Sequence, residues 1–72
     1  MKSVIIGAGK YGEVYLSYLQ EAGVDVVGFL DDDPNIINIK FGGLPVLGPT
    51  SILPILKEKY GDEYFEYVGI AY

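Results

Sequence analysis

Apolar residues fall along this chain in short blocks that switch between two periods. Ser3-Val4-Ile5-Ile6-Gly7 is a continuous β-branched block closed by glycine. That pattern predicts a short strand covered on both faces. Over residues 10–22 the spacing becomes helical: Tyr11, Tyr15, Tyr18 and Ala22 recur on one stripe, widened by Val14 and Leu19. The stripe predicts a helix with its tyrosines in the core and at its rim, ended by Gly23 as a C-cap. Val24-Asp25-Val26-Val27-Gly28-Phe29-Leu30 is a second strand, and Asp33-Pro34-Asn35 breaks regular structure after it.

Residues 35–43 read as a loop: Ile36, Ile37 and Ile39 are apolar, but Gly42-Gly43 follows at once. Leu44-Pro45-Val46-Leu47 is a short third strand, and Pro45, lacking a backbone donor, confines it to a sheet edge. Thr50 or Ser51 caps a second helix over residues 50–60, with Pro54 tolerated in its first turn and Gly61 ending it. Phe65–Ala71, within Tyr64–Tyr72, is a fourth strand. The order β-α-β-β-α-β predicts a small Rossmann-like α/β domain over residues 1–72, with a parallel sheet and right-handed crossovers. The expected strand order is 3-2-1-4, with a ligand crevice at the carboxyl ends of strands 1 and 4.

At 72 residues the chain is one small domain with a modest core. Half of it is hydrophobic, too much for a disordered tail. Cysteine and histidine are both missing from the sequence. That excludes a disulfide framework and thiolate metal sites, and removes the commonest general base and metal ligand. The net charge is −5 and the five lysines (Lys2, Lys10, Lys40, Lys57, Lys59) are scattered, which argues against nucleic acid and anionic membrane as partners. The apolar start is too short for a signal peptide and no segment approaches a membrane span, so the expectation is a cytoplasmic chain.

Candidate chemistry lies in two stretches. Gly7-Ala8-Gly9-Lys10-Tyr11-Gly12 sits between a strand and a helix. There Gly7 permits a tight turn, Gly9 lets backbone approach a phosphate, and Gly12 lets the helix lie close on the strand. The helix amino terminus adds N–H groups and a positive dipole end. The plainer alternative is a turn that needs glycine for geometry alone. Lys10 either meets an anion or is a solvated first-turn lysine. Tyr11 either stacks on a ligand or packs with Tyr15. The second stretch, Asp31-Asp32-Asp33, ends strand 2, where an acid accepts hydrogen bonds from a ribose or a base N–H. Asp31 and Asp32 are the candidates for ligand; the plainer alternative is a solvated turn in which Asp33 caps the loop before Pro34. Tyr64, Tyr67 and Tyr72 need only a β-forming role. Glu58, Asp62, Glu63 and Glu66 read as solvated surface. No nucleophile–base pair or metal cluster stands out.

Gly7-Ala8-Gly9-Lys10-Tyr11-Gly12, Val27-Gly28-Phe29-Leu30-Asp31-Asp32-Asp33-Pro34 and Pro45-Val46-Leu47-Gly48 together resemble the amino-terminal domain of PglD-like (NeuD-type) sugar acyltransferases. The resemblance covers the whole chain. It implies a Rossmann-like domain that binds the nucleotide of a UDP-linked or similar sugar in bacterial polysaccharide biosynthesis. It also implies a separate β-helix domain that carries the catalytic histidine and binds acetyl-coenzyme A. By resemblance, the backbone of Gly9 to Gly12 faces the diphosphate or sugar side and Asp31 and Asp32 hold the base. Lys10 and Tyr11 stand where the family's loop usually carries Gly and His. The chain stops at Ile70-Ala71-Tyr72, so the expectation is a fragment that holds substrate, uses no cofactor of its own and either self-associates through its last strand, residues 64–72, or is marginally stable. The alternative is an NAD(P)-binding domain of an oxidoreductase or of a polysaccharide-biosynthesis epimerase/dehydratase, with Asp31 on the adenosine ribose.

Overall fold

The computed structural model describes residues 2–61 and the backbone of residues 65–69. Strands and helices follow as β1 (Lys2–Ile6), α1 (Lys10–Glu21), β2 (Asp25–Leu30), β3 (Lys40–Phe41), β4 (Leu44–Gly48), α2 (Leu53–Tyr60) and β5 (Phe65–Gly69). Short 3-10 turns occupy Pro34–Ile36 and Thr50–Ile52. The remainder of the predicted fourth strand lies outside the described residues. Among those residues no helix is long and apolar enough to cross a membrane.

The sheet is mixed and its order is β3-β4-β2-β1-β5. β1 pairs in parallel with β2 and with β5, β2 pairs in parallel with β4, and β3 runs antiparallel to β4. This order differs from the expected 3-2-1-4 through an added edge strand, formed by residues the sequence assigned to a loop. The cause is the Gly42-Gly43 pair, with φ of 59° and 86°. Positive φ at both central residues is what a two-residue hairpin turn of type I′ requires. Phe41 and Leu44 close that hairpin.

β4 is therefore an interior strand, and Pro45 does not mark an edge. It faces Lys40 of β3. Next to it the backbone bonds are made by Val46, whose N–H donates to the Ile39 carbonyl and whose carbonyl accepts from the Asn38 N–H, both at 3.0 Å. No donor is asked of Pro45 on that side.

Two apolar clusters form, one on each face of the sheet. Ile5, Leu16, Val26, Phe29 and Val46 pack together on the α1 side. Val4, Leu30 and Leu56 pack on the α2 side. Adjacent strand residues point to opposite faces, so Val4 and Ile5 serve different clusters. A strand buried on both faces has no polar side to show, which is why residues 4–6 read as unbroken apolar.

The buried face of α1 is not the tyrosine stripe. Leu16 is 2% exposed, whereas Tyr11, Tyr15 and Tyr18 are 63%, 43% and 64% exposed. The stripe turned inward runs through Gly12, Leu16 and Leu19, one position along the helix. Gly12 selects it, because only a residue without a Cβ fits against the sheet there. The helix ends in a Schellman motif: the Gly23 N–H donates to the Gln20 carbonyl (3.0 Å) and the Val24 N–H to the Leu19 carbonyl (2.9 Å). Gly23 takes φ 80°, as its place just past the cap requires.

The second helix also departs from expectation at its start. Neither Thr50 nor Ser51 caps it; α2 begins at Leu53 after the 3-10 turn, and its N-cap residue is Ile52. Pro54 sits in the first turn, where its missing donor costs nothing. Thr50 is held elsewhere, by Asp32.

Candidate functional site at the glycine loop and the end of β2

β1 ends at Ile6 and α1 begins at Lys10, so the chain turns within Gly7-Ala8-Gly9. Gly7 and Gly9 take φ of 106° and 95°, a region that side chains disfavour. Gly9 is the N-cap of α1, with no side-chain cap hydrogen bond. A Cβ at Gly9 would meet nothing within 4 Å, so the turn is open there. The first intrahelical bond runs from the Glu13 N–H to the Gly9 carbonyl at 3.0 Å. The N–H groups of Lys10, Tyr11 and Gly12 precede it and have no acceptor within the helix. They sit at the positive end of the helix dipole.

Gly12 closes the loop against the sheet. A Cβ added there would lie 2.8 Å from the Gly7 carbonyl oxygen and 3.1 Å from Cε1 of Phe29. The Gly7 N–H donates to the Leu30 carbonyl at 2.7 Å, and the Asp31 N–H to the Gly48 carbonyl at 3.0 Å. These bonds bring the glycine loop, the end of β2 and the end of β4 to one place.

The three aspartates reach three different segments. Asp31, half-buried, accepts the Ala8 N–H on Oδ2 at 3.0 Å and the Asp33 N–H on Oδ1 at 2.9 Å. Asp32, exposed, accepts the Thr50 N–H at 2.8 Å and the Thr50 hydroxyl at 2.9 Å. Asp33 accepts the Asn35 N–H at 2.9 Å, at the start of the first 3-10 turn. Each carboxylate thus serves a segment whose N–H groups lack helical partners.

Of the residues the sequence singled out, Gly7, Gly9, Lys10, Tyr11 and Gly12 are contiguous here, and Asp31 is bonded to the same loop through Ala8. Asp32 is turned to Thr50. Lys10 and Tyr11 are exposed on the first turn of α1, and Tyr11 does not share a buried cluster with Tyr15. Sequence reasoning missed Ala8, Gly48 and the pairing of Thr50 with Asp32. None leaves a local signal, since each partner lies 17 or more positions away, Gly48 being 17 from Asp31 (48 − 31).

The assembled groups are backbone amides, one cation, one phenol and carboxylates. Such a set can offer hydrogen-bond donors, acceptors and charge to a ligand. Among the described residues no three acidic side chains converge to hold a metal ion. No enclosed cavity forms among them either.

No curated protein and no solved structure matches the chain. The family model of the PglD N-terminal domain matches residues 2–71, taking in the glycine loop, the acidic run and both helices, and the chain belongs to that family.

Proposed function

We propose that this chain is the Rossmann-like, nucleotide-sugar-binding domain of a PglD-like sugar acetyltransferase, taking a UDP-sugar or a similar substrate. The observation that carries this reading is the turn from β1 through Gly7-Ala8-Gly9 into α1, with two positive-φ glycines and no side-chain cap on the helix. A diphosphate lies over that turn. The amides from Gly9 to Gly12 and the helix dipole supply donors and positive potential where the negative charge sits. Lys10 adds a cation beside the anion. Tyr11 offers a ring face or a hydroxyl to the sugar or the base. Asp31 and Asp32, at the end of β2, border the nucleoside side. Acyl transfer belongs to a separate domain that uses acetyl-coenzyme A. Family membership supports the assignment of this chain to the substrate-holding half.

The test is an amide-resolved NMR titration with UDP-N-acetylhexosamine, UDP, a dTDP-sugar, NAD and NADP. Nucleotide-sugars are expected to shift Gly9, Gly12 and Asp31. Shifts at those residues with NAD or NADP, and none with nucleotide-sugars, would overturn the reading in favour of a dinucleotide site.

A further inference from the structure

We infer that Asp31 is a positioning residue for the glycine loop and not a reader of the nucleoside; this rests on the loop being the diphosphate site. Ala8 is the one residue of the turn with a side chain, and glycines at φ 106° and 95° flank it. A segment built this way has many backbone conformations open to it. Asp31 removes that freedom. Its Oδ2 accepts the Ala8 N–H at 3.0 Å. The residue making that bond is itself fixed twice: its own N–H donates to the Gly48 carbonyl at 3.0 Å, and its Oδ1 accepts the Asp33 N–H at 2.9 Å. One residue earlier, the Leu30 carbonyl accepts the Gly7 N–H at 2.7 Å. Two successive loop amides are therefore pinned from the end of β2.

Charge sharpens the argument. A carboxylate beside a diphosphate repels it, so its presence at this junction needs a compensating role. Holding Ala8 supplies one: the amides from Gly9 onward are set before the ligand arrives, and the ordering cost is not charged against binding. The role needs two acceptor oxygens on one short side chain. Asparagine would present an NH2 group to one of the two N–H donors. Asp32 and Asp33 do not share the role, since their carboxylates go to Thr50 and Asn35.

Calorimetry with inorganic diphosphate and with UDP-N-acetylglucosamine separates positioning from direct contact, because diphosphate has no base or ribose to read. Asp31→Ala is expected to weaken both ligands by the same factor, about tenfold, as one lost charge-assisted hydrogen bond implies. Asp31→Asn, keeping one acceptor, falls between wild type and Asp31→Ala; Asp33→Asn, which removes a charge from the same run without touching Ala8, leaves both affinities unweakened. In the ligand-free chain, Asp31→Ala shifts the Ala8 and Gly9 amide resonances and speeds Ala8 hydrogen exchange. If Asp31→Ala does not fold, Asp31→Asn decides by the same comparison. A loss confined to the UDP-sugar overturns the inference, because Asp31 then reads the nucleoside. Unchanged affinity for diphosphate in Asp31→Ala and Asp31→Asn overturns it alone. A wild-type chain that does not bind diphosphate overturns the loop reading, and this inference with it.

Discussion

Gly12→Ala sets two effects against each other at one atom. Alanine is favoured over glycine inside a helix by at most about 1 kcal/mol, and Gly12 lies in the first turn of α1. Propensity alone predicts a gain; packing predicts a loss. The added Cβ would sit 2.8 Å from the Gly7 carbonyl oxygen and 3.1 and 3.4 Å from two ring carbons of Phe29. Comfortable contacts lie at roughly 3.5 Å, so relief needs a movement of about half an ångström. Neither neighbour yields easily. Phe29 is fully buried, and Gly7 belongs to a turn tied to Leu30 at 2.7 Å. Overpacking of this kind costs about 1–3 kcal/mol, and a backbone oxygen as the obstacle puts it toward the top of that range. The net expectation is a loss of about 1–2 kcal/mol. For a domain of this size that lowers the melting temperature by roughly 4–16 °C. Urea unfolding by far-UV circular dichroism measures it, with tyrosine fluorescence as a second probe, since the chain has seven tyrosines and no tryptophan. Gly9→Ala is the comparison: its Cβ meets nothing within 4 Å, so its loss of about 1–3 kcal/mol comes from the strained backbone alone. A Gly12→Ala midpoint at or above wild type would refute the packing argument.

Leu16→Ala should cost about 2–5 kcal/mol, and Tyr18→Ala no more than about 0.5 kcal/mol. Equal losses in the same denaturation assay would put the tyrosine stripe back in the core. A double-mutant cycle of Asp32→Ala with Thr50→Val should give a coupling of about 0.5–1 kcal/mol for the hydroxyl bond, and zero coupling would remove that bond from the solution structure. The Lys2 ammonium, 2.6 Å from Asp25 Oδ2, holds the Asp25 carboxyl below its usual range by hydrogen bonding, and Asp25 in turn raises Lys2. The Asp25 share of stability is thus present above the ordinary carboxylate pKa of about 4 and lost as pH falls through the lower folded value. The Lys2 share is present below the ordinary lysine pKa of about 10.4 and lost as pH rises through the higher folded value. Both side chains are exposed, so the effect is small and screened. An Asp25→Asn deficit that survives undiminished in about 1 M salt would contradict it. β5 stands at one end of the sheet, and an edge strand invites pairing with another copy. Sedimentation velocity across a concentration series should show self-association; a strict monomer throughout would refute it.

The parts legible in the sequence are those whose signal is local. β1 and β2 are covered on both faces, and their apolar runs are continuous for that reason. The turn between β1 and α1 needs glycine at fixed positions, so it announces itself. The inward face of α1 does not. Two stripes one residue apart both fit the helical period, Tyr11-Tyr15-Tyr18 and Gly12-Leu16-Leu19. The tyrosines offer the larger side chains, but the leucines are the more hydrophobic, and the close approach of Gly12 to Phe29 selects their stripe. β3 escaped notice because two residues give no period, and its existence rests on the glycine pair and on Asn38 and Ile39 bonding to Val46. Thr50 has the composition of a helix cap, and only the fold reveals that it serves Asp32.

The same contrast changes what an acid about 20 residues past a glycine loop means. The spacing follows from geometry: β2 lies beside β1, so a residue just past the end of β2 arrives next to the loop that follows β1. An aspartate there can accept from a ligand or from the loop, and spacing cannot tell the two apart. Here the Ala8 N–H donates to Asp31 Oδ2. Under the proposed reading, affinity for the diphosphate then depends on a backbone conformation held jointly by Gly7, Gly9 and Asp31. Discrimination between anions falls to Lys10 and Tyr11, the exposed side chains on the first turn of α1. Substitutions at Lys10 and Tyr11 should accordingly change which nucleotide-sugar is preferred while leaving loop geometry intact. Substitutions at Gly9 or Asp31 should weaken every diphosphate ligand together.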